Sequence, residues 1–222
     1  MGEHVKLTAD DGHELSAYIA RPEGAAKGGL VIVQEIFGVN SHIRAVTDGF
    51  AAEGYLAVAP ALFDRIRPGI ELGYDEAGVA EGRALRPQVG WDATVRDVAA
   101  AMAVAAEAGK VGVVGYCWGG SAAWLAATRL KPAAAVGYYG GHIHEFATEK
   151  PACPVMLHFG EEDAGIPLEN VERVRAAQPG IEIHLYPGAG HGFSCDQRGS
   201  YHAESTALAR QRSLAFLEPL LT

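Results

Sequence analysis

The stretch 111–120, Val-Gly-Val-Val-Gly-Tyr-Cys-Trp-Gly-Gly, constrains the fold more than any other part of the chain. It reads as an apolar β-strand running into Gly-x-Cys-x-Gly-Gly, with the helical run Ser121-Ala122-Ala123-Trp124-Leu125-Ala126-Ala127 directly after it. A strand that turns at once into a helix, with a nucleophilic residue at the corner, is a nucleophile elbow, and Cys117 stands where a serine is usual. The glycines have a steric task. The corner residue sits in a strained backbone conformation, and a side chain at Gly115 or Gly119 would strike the neighbouring strand or helix. The turn lifts the sulfur clear of the sheet. It also sets the backbone N–H of Trp118 at a helix N-terminus, where it can donate to a developing oxyanion and where the helix dipole favours a thiolate. The plainer alternative is a tight turn around a buried, inert cysteine, since free cysteine often serves as a small core hydrophobe.

An elbow needs a sheet around it, and the patterning elsewhere supplies one. Residues 5–8 and 14–20 read as a hairpin turning at Asp10-Asp11-Gly12. The run Leu30-Val31-Ile32-Val33 is continuously apolar, as expected of a strand covered on both faces. It leads into Gln34-Glu35-Ile36-Phe37-Gly38-Val39-Asn40, after which Ser41 is placed to cap a helix over about 42–53, with Gly54 as its stop. Residues 55–59 form the next strand, ended by Pro60. Residues 62–89 show no clear period and scatter charges among glycines and prolines, which predicts an irregular, lid-like segment or a solvated surface excursion. Val95, Val98, Ala99, Met102 and Ala106 recur at helical spacing over 91–108. After the elbow helix come strands over 133–139 and 154–160, a helix over 168–177, an alternating edge strand over 181–186 and a closing helix over 202–217. Strands alternating with helices predict the α/β class: a doubly wound, mainly parallel sheet of about seven to eight strands, with helices on both faces, in one domain over 1–222.

Composition narrows the function. The chain has 222 residues, 49% of them hydrophobic and 20% charged, the profile of an ordinary soluble domain. A net charge of −9 without a Lys/Arg cluster argues against nucleic acid or anionic membranes as partners. Three cysteines at no repeated spacing argue against a disulfide framework and against a zinc site. Residues 1–6 lack a charged-then-apolar leader pattern, and no apolar run approaches membrane-spanning length. The expectation is a monomer or small homo-oligomer in a reducing cytoplasm, which would keep Cys117 a usable thiol.

In open α/β sheets, ligands meet the carboxyl ends of the strands. Glu35, Cys117, Asp163 and His191 all fall at such ends. A cysteine thiol, with an ordinary pKa near ~8.5, is mostly protonated at neutral pH. An imidazole within hydrogen-bond reach can take its proton, and a carboxylate can hold the imidazole in the needed tautomer. Cys117, Asp163 and His191 occur in the order nucleophile, acid, histidine, and His191 is flanked by Gly190 and Gly192. Glu161 and Glu162 compete with Asp163 for the acid's role. His142-x-His144 with Glu145 is read as loop rather than metal site, because two alternating histidines are a weak signal.

Gln34-Glu35-Ile36-Phe37-Gly38-Val39-Asn40, Gly115-Tyr116-Cys117-Trp118-Gly119-Gly120, Val136-Gly137-Tyr138-Tyr139-Gly140, Asp163 and Gly190-His191-Gly192-Phe193 together resemble the dienelactone hydrolase family of α/β-hydrolases. The pieces are spread over most of the chain in the right order. The resemblance implies the α/β-hydrolase fold and cysteine-dependent hydrolysis of a lactone or ester through a thioester, without metal or other cofactor. It implies Cys117 as nucleophile, His191 as base, Asp163 as its orienting acid, and the N–H groups of Trp118 and Ile36 as the oxyanion hole. Glu35 then corresponds to an acidic residue that contacts the thiol, against the alternative of an ion pair with an arginine such as Arg44 or Arg83. The arginine that holds a substrate carboxylate four residues after the family's histidine is replaced here by Cys195, and a second one falls at Val79. Arg83, Arg86 and Arg198 are therefore candidates for that contact, with Tyr138 and Phe193 bordering the site. A broad carboxylesterase is the second enzymatic reading, and a non-catalytic or redox-sensing binding protein is the alternative from another class.

Overall fold

Strands form where apolar and β-branched residues run together, and eight such runs share one sheet in the computed structural model, which describes residues 2–222. They are β1 (Glu3–Thr8), β2 (Glu14–Ala20), β3 (Gly29–Val33), β4 (Leu56–Pro60), β5 (Val111–Tyr116), β6 (Ala134–Tyr138), β7 (Val155–Gly160) and β8 (Glu182–Tyr186). Their order is β1-β2-β4-β3-β5-β6-β7-β8. β2 runs antiparallel to β1 and β4, and the remaining neighbours are parallel. The helices are α1 (Ser41–Ala52), α2 (Glu76–Val89), α3 (Trp91–Ala105), α4 (Trp118–Arg129), α5 (Leu168–Ala177) and α6 (Ala203–Leu221).

The period-2 pattern splits the core into two layers. Leu30 and Ile32 of β3 face one layer with Ile43 and Phe50 of α1 and Leu217 of α6. Val31 and Val33 face the other, with Val98 and Ala101 of α3 and Ala122 and Ala126 of α4. Each fully buried Val or Leu contributes about 1.5–3 kcal/mol, so a sheet clad on both faces is strongly favoured. Between β4 and β5 lies β3, and the strands added after β3 proceed in opposite directions across the sheet. That is a topological switch point, where a crevice opens beyond the carboxyl ends of the strands. Gln34, Glu35 and Ile36 leave one side of it and Cys117 leaves the other.

Two expectations are corrected. Residues 62–89 are not irregular throughout. Leu62–Arg65 is a 3₁₀ turn, and Glu76–Val89 is a helix that Asp75 caps by accepting from the Gly78 N–H at 2.8 Å. The glycines that suggested a broken segment are packing points. A methyl on Gly78 would lie 2.1 Å from the Gly73 carbonyl oxygen, and one on Gly82 would lie 2.2 Å from that of Ile36. Few apolar residues were available to show the period, because α2 presses its glycines against loops. The cap of α1 is also one residue earlier than expected: Asn40 accepts from the Ile43 N–H at 3.2 Å. A buried ion pair fixes the 3₁₀ turn to α3, where Arg65 donates to both oxygens of the fully buried Asp97 side chain at 2.9 and 2.7 Å.

Candidate active site

The elbow has the geometry its glycines demand. Cys117 sits at φ 55°, ψ −113°, in the left-handed half of conformational space that side chains avoid, and its N–H donates to the Tyr138 carbonyl at 3.0 Å. A methyl on Gly115 would come within 1.8 Å of the Gly119 carbonyl oxygen, and one on Gly119 within 2.2 Å of that of Val33. The Gly119 N–H donates to the Gln34 carbonyl at 3.0 Å, tying the elbow to the end of β3. Cys117 is partly exposed.

Distant parts of the chain meet this sulfur. His191 Nε2 lies 3.1 Å from Cys117 Sγ, and His191 Nδ1 lies 2.7 Å from Asp163 Oδ2. Glu161 and Glu162 are exposed, so Asp163 is the carboxylate at the imidazole. Burial alone would push the imidazole down. The charges of Cys117 and Asp163, and the hydrogen bonds to both, outweigh burial and hold His191 up at about 10. That balance favours the protonated imidazole beside the sulfur. The loop bearing it is fixed by Ser200, whose hydroxyl donates to the His191 carbonyl at 2.7 Å, and the Tyr139 ring packs 5.2 Å from the imidazole.

The backbone N–H groups of Ile36 and Trp118 donate to no other described residue. Both residues line one cavity with Cys117 and His191. Its volume is about 620 Å³, and Arg83, Arg86, Arg198, His142 and Ile166 also contribute to its walls. All three candidate arginines are thus brought to the cavity. Arg198 is already engaged, while Arg86 stacks 4.2 Å over the Trp91 ring and has a buried, unpartnered Nη2. Burial pushes the Arg86 guanidinium down from its usual value.

Three expectations fail at this site. Glu35 is not bonded to the Cys117 thiol. It is fully buried, and its carboxylate accepts from Arg198 Nη1 at 3.1 Å and from the Tyr74 hydroxyl at 3.0 Å. The partner is neither Arg44, which pairs with Glu71, nor Arg83. Gly192 makes this possible, since a methyl there would lie 2.4 Å from Arg198 Nη1. Tyr138 does not border the cavity; it is buried, with its hydroxyl 2.7 Å from Ser213 Oγ. Phe193 is buried too, packed on Tyr139 and Tyr186. Tyr138 packs in the same core layer as Tyr139, with their ring centroids 6.2 Å apart, and neither ring lines the cavity. Sequence reasoning missed Tyr74 altogether, because it lies in the segment without a period. It also left His142 as a loop residue.

Glu35, His42 and Cys195 bring donor atoms within 4.8 Å of one another, all buried. The carboxylate's two oxygens are occupied by Arg198 and Tyr74, and burial, with Glu35 beside it, pushes the Cys195 thiol up to about 11. A guanidinium and a phenol on the carboxylate, with a protonated thiol beside it, suit this donor set poorly to a cation, although His42 Nε2 is buried without a partner.

Comparison with known proteins agrees with the geometry. A family model described as the dienelactone hydrolase family matches residues 15–221. A carboxymethylenebutenolidase from Pseudomonas putida is 35% identical over 228 residues, covering 98% of this chain and 97% of its own. A Synechocystis protein provisionally named a carboxymethylenebutenolidase is 39% identical over 219 residues, covering 90% and 89%. A solved structure from Klebsiella pneumoniae, provisionally a dienelactone hydrolase, superposes with a TM-score of 0.81 at 33% identity, covering 96% and 98%. With its eight-stranded sheet, its elbow and these relatives taken together, the chain belongs to the dienelactone hydrolase family and is a carboxylic ester hydrolase on the α/β-hydrolase fold.

Proposed function

We propose that the chain hydrolyses lactones or activated carboxylic esters through a thioester on Cys117. The observation that carries this reading is the unbroken line from Cys117 Sγ to His191 Nε2 at 3.1 Å and from His191 Nδ1 to Asp163 at 2.7 Å, on the wall of the cavity. With the thiol's proton already carried by His191, Sγ attacks the carbonyl carbon. The oxyanion forms against the Ile36 and Trp118 N–H groups. Collapse breaks the C–O bond, and the imidazolium returns its proton to the departing oxygen. Water, deprotonated by His191, then attacks the thioester and regenerates the thiol. A thiolate is a good leaving group itself, so the scheme suits enol lactones and aryl esters better than amides.

The substrate reading is narrower. The relatives' name, carboxymethylenebutenolidase, points to a carboxylated lactone, and the unpartnered Arg86 Nη2 on the cavity wall supports an anionic substrate here. Changing Arg83, Arg86 and Arg198 together without raising KM for a carboxylated lactone would end that idea. The acidic net charge of −9, and the absence of any helix among the described residues long and apolar enough to cross a membrane, are in keeping with work on small molecules in the cytoplasm. The mechanism is tested by assaying enol lactones and aryl esters with the native chain and Cys117→Ala. Loss of turnover by three orders of magnitude or more is expected, and full activity in the variant overturns the nucleophile assignment.

A further inference from the structure

Gln34 directly follows β3 and is fully buried. A buried amide needs hydrogen-bond partners, and both ends of this one have them. Its Oε1 accepts from the Leu62 N–H at 3.1 Å, which anchors it to the 3₁₀ turn after β4. Its Nε2 donates to the Glu35 carbonyl at 3.2 Å. No loop N–H or other side chain among the described residues donates to that carbonyl. The main-chain carbonyl of Gln34 meanwhile accepts from the Gly119 N–H of the elbow at 3.0 Å. One residue therefore holds the elbow with its backbone and the peptide that leads into Ile36 with its side chain.

The Glu35 carbonyl and the Ile36 N–H are the two ends of one peptide group. That group is a rigid plane in which C=O and N–H point in opposite directions, so fixing one fixes the other. A hydrogen bond received at the carbonyl also polarises the N–H and strengthens what it donates. Behind Ile36 stands the backbone of α2. A methyl on Gly82 would lie 2.2 Å from the Ile36 carbonyl oxygen and 3.2 Å from the Ile36 Cβ, so nothing separates the helix from this residue. The next carbonyl, that of Phe37, accepts from the Leu72 N–H at 2.9 Å in the same outer segment. We propose that Gln34 and Gly82 are positioning residues for the oxyanion hole: the Gln34 amide sets the direction of the Ile36 N–H, and the α2 backbone at Gly82 sets how far that donor stands from the Trp118 N–H. Neither residue lines the cavity, so neither meets the substrate. The inference rests on the oxyanion hole and the Cys117 thioester proposed above.

The test is steady-state hydrolysis of a neutral aryl ester, with melting followed by circular dichroism. Gln34→Met keeps the length of the side chain and removes both of its hydrogen bonds. The expected result is kcat lowered about 10- to 100-fold with KM within about twofold of native. Alkylation of Cys117 by iodoacetamide forms no oxyanion and should keep its native rate, read on the Cys117 peptide by mass spectrometry. An aryl trifluoromethyl ketone accepts Sγ at its carbonyl carbon, places the negative charge on the ketone oxygen and loses no group, so its inhibition should weaken by a factor similar to the fall in kcat. Gly82→Ala should give the same pattern. Gly78→Ala is its control: the overlap is as severe, 2.1 Å, and lies in the same helix, but it falls on the Gly73 carbonyl oxygen. That variant should melt like Gly82→Ala and keep kcat within about threefold of native. The two test variants act from opposite sides of Ile36, so poor folding of one leaves the other to decide. Native kcat in either folded variant, an equal loss in Gly78→Ala, or alkylation slowed in step with kcat would overturn the proposal. Retained hydrolysis by Cys117→Ala would sink the thioester mechanism instead, so the two failures are distinguishable.

Discussion

Adding one methyl group at Gly119 separates the two halves of the proposed oxyanion hole. The Cβ of Gly119→Ala would lie 2.2 Å from the Val33 carbonyl oxygen, 2.6 Å from its carbon and 2.7 Å from the Gln34 oxygen. All three are backbone atoms of the strand end that carries Ile36, so no side chain can swing aside. Ordinary contact begins at 3.4 Å, which means that β3 and the elbow must part by about 1 Å. The Gly119 N–H bond to Gln34, now 3.0 Å, would stretch or break. Ile36 and Trp118 sit on opposite sides of this seam. A displacement of about 1 Å in a positioned group costs on the order of 100-fold, and full loss of one oxyanion donor costs about 100- to 1,000-fold in kcat. Overpacking should also cost about 1–3 kcal/mol of stability. The assay is steady-state hydrolysis of an aryl ester, with melting followed by circular dichroism. We expect kcat down about 100-fold, KM nearly unchanged, and alkylation of Cys117 retained, because the thiol–imidazole pair is built from other elements. A variant with kcat within about threefold of native would refute the argument that this glycine sets the gap between the two N–H donors.

Asp163→Asn should keep the fold of its loop but release His191 from a fixed tautomer, lowering kcat by up to about 10,000-fold with substrate binding little affected; steady-state kinetics on an aryl ester decides it, and a loss under tenfold speaks against Asp163 as the orienting acid. Cys117→Ala removes the largest attraction that holds His191 up at about 10, leaving burial against Asp163, so the imidazole's proton affinity should drop at least tenfold in an NMR titration. The sign for stability follows from the same value: His191 is raised in the fold from 6.5, so its contribution is complete below about pH 6.5 and fades as pH rises through about 10, and thermal melts of the native chain should show this decline while those of His191→Gln should not. Arg65→Met leaves the fully buried Asp97 side chain without its guanidinium and should destabilise the fold by about 3–5 kcal/mol in chemical denaturation. Because burial already pushes the Asp97 carboxyl up, that deficit should shrink in acid, and a deficit that grows as pH falls would contradict it.

Much of this protein is written locally. The spacing Gly115-x-Cys117-x-Gly119 determines the elbow because only a residue without a side chain survives 1.8 to 2.2 Å from a backbone oxygen. Continuous apolar runs such as Leu30–Val33 determine buried parallel strands, because a strand clad on both faces has no polar side to show. The order Cys117, Asp163, His191 was legible for the same reason: each lies just past a strand, where an α/β sheet exposes its loops. What sits against what was decided only in three dimensions. Helix α2 escaped notice because its contacts are glycines on loops, which leave no hydrophobic period. Tyr138 and Phe193 looked like pocket residues, but ring packing and the Tyr138 hydroxyl's bond to Ser213 hold them inside the core. The partner of Glu35 could not be read along the chain at all. Arg198 lies 163 residues away, Tyr74 lies 39 away, and an ion pair depends on the distance between charges in space, which sequence separation does not encode.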